Sequence, residues 1–92
     1  MNEEQKLKEI IAHGKDADEW LNHPTFRHVI TLMKADYIRQ FELTKFKDTE
    51  ERDEIWRKIQ ALNGIVNRMQ RIIRNGDKAV TMLEKIKAKL KN

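Results

Sequence analysis

Ile55, Ile59, Leu62, Val66, Met69 and Ile73 follow one another at spacings of 4, 3, 4, 3 and 4. That alternation is the a/d pattern of a coiled-coil heptad, and it places all six side chains on one stripe of an α-helix. A strand cannot use it, because strand faces alternate every second residue. The signals before the stripe agree. Thr49 can cap the helix, with Asp48 as the competing choice, and Glu50, Glu51, Asp53 and Glu54 crowd the first turns, where the helix dipole favours negative charge. Asn75-Gly76 is the natural stop, which gives a helix over about 49–74. At 1.5 Å per residue it would run ~39 Å, whereas a compact sphere of this chain length is only ~32 Å across. The seam therefore predicts an all-α chain of elongated build.

A partner for that helix lies just upstream. Phe26, Val29, Ile30, Met33, Tyr37 and Phe41 recur every three or four residues, with Ile38 broadening the stripe, and predict a helix over about 24–43. Pro24 suits its first turn. Thr44 to Asp48 is the connection, without glycine or proline, and the expected arrangement of the two long helices is an elongated antiparallel hairpin. Short N-terminal helices precede it. Asn2 with Gln5 reads as a capping box, Leu7, Ile10 and Ile11 make a short stripe, and Gly14 reads as its stop. Asp16 with Glu19 then starts a second short helix that Trp20 and Leu21 anchor and His23-Pro24 ends. The whole is a single helical domain over residues 1–92.

Gly76 leaves two readings open. As a stop, it is followed by Asp77 as the cap of a C-terminal helix of about 77–90. Yet the seam keeps its phase across the glycine, through Gly76, Val80, Leu83, Lys87 and Leu90. A chain that turns usually resets its phase, so the alternative is one rod from Thr49 to about Lys89, at a cost of roughly 1 kcal/mol for an interior glycine. The stop is the reading taken first.

Composition excludes several classes of function. With 39% hydrophobic and 37% charged residues, the chain suits long helices carrying one apolar stripe each. It has neither cysteine nor serine. Disulfides, zinc-thiolate sites and the commonest covalent nucleophiles are thereby removed. The charged start, Met1 to Lys8, has no apolar core of a signal peptide, and no apolar run approaches the ~20 residues that span a bilayer. A chain of 11.0 kDa folded compactly would expose roughly 5,600 Å².

Charge is sorted along the chain. Residues 1–56 carry nine Lys/Arg and thirteen Asp/Glu, net −4; residues 57–92 carry ten against two, net +8, which together give the stated +4. Arg57, Arg68, Arg71, Arg74 and Lys78 fall opposite the seam and form a candidate face for an anionic partner. Much of the sorting also follows from the helix dipole, acids first and bases last. The lysine-rich end, from Lys78 to Lys91, is amphipathic, but its apolar side lacks Trp and Phe, so docking on another helix is expected and membrane binding is not. His23 and His28 are five apart with a proline between, which is not metal-pair spacing, and the acidic clusters are accounted for as helix starts. Catalytic residues, metal ligands, cofactors and a small-molecule substrate are therefore not expected. Phe46, in the connection, and Trp56, about 100° round from Ile55, are candidate exposed aromatic anchors for a partner.

The run from Leu21-Asn22-His23-Pro24 with Phe26, through Tyr37 and Phe41, to Arg52, Ile55-Trp56, Leu62, Ile72-Ile73 and Asn75-Gly76 resembles small all-helical proteins encoded in the late, structural gene clusters of tailed bacteriophages. The resemblance covers about two thirds of the chain and rests on packing positions. It implies a virion or assembly component, present in the host cytoplasm during assembly, and transfers no functional residue. The expectation is a non-enzymatic structural or assembly protein that works by helix–helix contacts, with a protein partner or another copy of itself. A small nucleic-acid-associated or regulatory protein using the basic face is the second reading.

Overall fold

In a computed structural model, which describes residues 2–91, the chain folds as three α-helices: α1, Glu3–Asn22; α2, Pro24–Leu43; and α3, Thr49–Lys91. Among the described residues there is no strand. The hairpin of α2 and the first part of α3 has the expected limits. The N-terminal and C-terminal thirds do not.

α1 is one helix of 20 residues. The Asn2 side chain caps it, accepting a hydrogen bond from the Gln5 backbone N–H at 2.8 Å. Neither Gly14 as a stop nor Asp16 as a second start is realised; the helix runs straight through both. A single residue, His23, separates α1 from α2. It is extended (φ −68°, ψ 127°), Pro24 follows in the first turn, and the His23 ring nitrogen accepts from Thr25 N–H at 3.2 Å. Proline, which has no donor and clashes with helical backbone before it, sets this break.

The connection 44–48 is held by its own polar groups. Thr44 donates from both its backbone N–H and its hydroxyl to the Phe41 carbonyl, closing α2. The Asp48 carboxylate accepts from Lys45 N–H at 3.2 Å while its carbonyl accepts from Arg52 N–H at 3.0 Å. The first hydrogen bond of α3 therefore ends on Asp48. Of the two candidate caps, Asp48 holds the position and Thr49 is the first helical residue.

α3 continues through Gly76 to Lys91, 43 residues in all, so the glycine is not a stop and the rod reading is the one realised. The reason lies in packing. A Cβ placed on Gly14 would lie 3.0 Å from the Gly76 Cα and 3.3 Å from the Ile72 carbonyl oxygen; one placed on Gly76 would lie 3.1 Å from the Gly14 Cα. The two glycines that read as stops are the two sides of one helix–helix contact. Any side chain there would hold the backbones apart.

By packing, the chain divides into two compact units. One joins α1 to the part of α3 from Arg68 onward, and the other runs from Asn22 to Asn67. In the first, Leu7 and Ala17 of α1 and Ala79 of α3 are buried beside the two glycines. In the second, Ile55, Ile59 and Leu62 of α3 are buried, whereas no residue of α2 is fully covered; Phe26, Ile30, Tyr37 and Phe41 reach only half-burial. The buried seam also departs from the predicted phase after Gly76. Val80, Lys87 and Leu90 are exposed, Ala79 and Ile86 face inward in place of Val80 and Lys87, and of the predicted positions beyond Gly76 only Leu83 keeps its inward side. The step from 73 to 76 to 79 inserts an extra three-residue spacing, a stammer in heptad terms, at the point of closest approach.

Candidate interaction surface

The buried set is wholly apolar, and among the described residues no buried side-chain nitrogen or oxygen lacks a partner. Chemistry is therefore confined to the surface. There, no group of three or more His, Asp or Glu among the described residues is placed to hold a metal ion. Of the described helices none is long and apolar enough to cross a membrane.

What the surface does offer is apolar area. Large hydrophobic side chains contribute on every helix: Trp20 is 60% exposed, Leu32 50%, Ile65 49% and Leu90 77%. Trp20, expected to anchor α1 to the core, lies mostly outside it.

The predicted seam splits in two. Ile55, Ile59 and Leu62 are buried against their own chain, and Val66, Met69 and Ile73 are half-buried. Its first half is consumed by the α2–α3 hairpin.

The candidate aromatic anchors are both at the surface, Phe46 at 91% exposure and Trp56 at 54%. They differ in setting. Phe46 sits at the tip of the connection, with the Arg52 guanidinium 5.8 Å from its ring centre; the same guanidinium lies 4.3 Å from the ring of Phe41. Arg52 thus links the end of α2 to the tip by cation–π contact. Trp56 stands on the flank of α3.

Arg57, Arg68, Arg71, Arg74 and Lys78 are all exposed on α3. Because α3 does not break at Gly76, the polar stripe continues in register: Arg71, Arg74, Lys78, Lys85 and Lys89 recur at steps of 3, 4, 7 and 4. The reading of Gly76 as a stop would have cut this stripe, whereas the alternative of one rod from Thr49 keeps it. Sequence reasoning missed the small-residue contact, although a signal was present: Gly14-x-x-Ala17 and Gly76-x-x-Ala79 repeat one spacing of small residues on two helices.

A second apolar stripe flanks the seam of the hairpin. On one side of the α2–α3 pair a shallow groove runs between Lys34 and Ile38 of α2 and Gln60 and Asn63 of α3. On the opposite side stand Val29, Leu32 and Met33 of α2 with Ala61 and Ile65 of α3, all exposed.

No family model, curated protein or solved structure matches the chain.

Proposed function

We propose that the chain is a non-enzymatic structural or assembly protein that acts by presenting helix faces to a protein partner or to further copies of itself. The observation that carries this reading is the apolar stripe left open beside the hairpin, where Val29, Leu32 and Met33 of α2 and Ile65 of α3 are exposed. Scattered hydrophobic residues are ordinary on a surface; several along one stripe mark a contact. The all-apolar interior and the shallow grooves offer little to a small-molecule substrate. The resemblance to late-cluster phage proteins supports a virion or assembly component acting in the host cytoplasm or in the particle.

The second reading is a nucleic-acid-associated protein, and the recurrence of basic residues along one side of α3 from Arg71 to Lys89 favours it specifically. Neutralising phosphates releases counterions, so such binding would weaken steeply with salt. Titration of the purified chain against duplex DNA and single-stranded RNA at low and moderate salt separates the two. Assembly predicts self-association or a copurifying protein, with no strong salt-dependent binding. A monomer that binds nucleic acid at low salt, and loses it on Arg68→Glu with Arg71→Glu, would make the second reading correct.

A further inference from the structure

The open face of the hairpin has a charge arrangement that selects its occupant. On α3, Glu54, Ala61 and Arg68 stand seven residues apart on one line of the side turned away from the seam, and Lys58, Ile65 and Ile72 form the adjacent line nearer to it. All six are exposed. The groove on the other side shows α2 from Ile30 to Ile38 lying alongside α3 from Gln60 to Asn67, so Leu32 and Met33 sit level with Ala61 and Ile65. The small residue is at the middle, with an acid seven residues before it and an arginine seven residues after.

From this geometry we propose that the face is covered by a second copy of the chain, with the two α3 helices antiparallel and a two-fold axis at Ala61. Antiparallel pairing about residue 61 places residue n opposite residue 122 − n of the copy, so each Glu54 meets the copy's Arg68 and Ala61 meets Ala61. Alanine lets the two backbones approach. The same rotation brings the Leu32–Met33 stretch of α2 toward its equivalent and turns two hairpins into a four-helix arrangement. Glu54 at present reaches only Lys58 on its own helix, at 3.8 Å and largely in solvent, a weak contact to exchange. A parallel pairing in register would set Glu54 on Glu54 and Arg68 on Arg68, so the charges choose the direction.

The proposal rests on the assembly reading and narrows it to self-association through one face. The native chain has no cysteine, so a single Ala61→Cys substitution reports on the axis alone. Light scattering at increasing concentration should give twice the 11.0 kDa chain mass. Under mild oxidation, Ala61→Cys should form a disulfide-linked dimer and Gln60→Cys should not. Ile65→Lys, at a half-exposed position, should yield a monomer with unchanged helical circular dichroism. Glu54→Arg or Arg68→Glu alone should weaken the dimer about tenfold, and the two together should restore it. A wild-type chain that stays monomeric overturns the second copy, while a copurifying protein would still satisfy the assembly reading. A dimer indifferent to Ile65→Lys and uncrosslinked at position 61 overturns this face and leaves self-association standing.

Discussion

The two units built on α3 are held in opposite ways. Where α1 meets the later part of α3, the contact consists of what is missing: Gly14 and Gly76 bring backbone against backbone, and the neighbouring buried residues include Ala17 and Ala79. Where α2 meets the earlier part, the contact consists of bulk, with Ile55, Ile59 and Leu62 covered and the aromatic residues of α2 half-covering them. One continuous helix thus changes from large knobs to small ones along its length. The difference teaches that a heptad pattern announces only the first kind of packing. The second is carried by residues that also serve as helix stops, so the same glycine has two readings.

The contrast can be broken by substitution. Leu62→Ala should have the largest effect, about 3 kcal/mol, because it empties a site only 4% exposed in the second unit. Chemical denaturation would measure it; a loss below about 1 kcal/mol would mean that the covered residues of α3 do not carry that unit. Gly14→Ala should cost about 1–2 kcal/mol, since forcing a Cβ between two backbones outweighs alanine's better helix propensity. Its effect should be local. Hydrogen exchange should speed in α1 and in α3 beyond Arg68, and hold in α2; uniform loss of protection would show that the two units open together.

Gly64→Ala sharpens the point from the other side. Gly64 is also helical, but nothing lies within 4 Å of a Cβ placed there. The substitution should raise stability by up to about 1 kcal/mol, the ordinary propensity gain. A loss there equal to that at Gly14 would remove the argument that close approach, and not helix interior alone, fixes Gly14 and Gly76. The smallest effect belongs to Lys58→Ala, which removes the 3.8 Å pair with Glu54. Such exposed pairs contribute about 0.3 kcal/mol, and thermal unfolding in high salt should show no difference from the parent.

Much of the hairpin was legible. The limits of α2, the short connection and the start of α3 follow from Pro24, from the end of the apolar stripe at Phe41 and from the acids after Asp48, all of which act through their immediate neighbours. Gly14 was misread and Gly76 left with two readings because local propensity treats an interior glycine as a weakness, and only the hydrophobic phase carried across Gly76 pointed to a continuous helix. The slip of the seam from Val80 to Ala79 was hidden as well, since a hydrophobic pattern prefers valine to alanine while a tight crossing prefers the reverse.

By itself the sequence determined helix class, the hairpin and the sorting of charge, because periodicity, capping and proline geometry operate within a few residues. Only the tertiary structure decided that α1 and α3 run unbroken. A glycine's conformational cost is paid at its own position, but its advantage exists only when a second helix arrives to use the space.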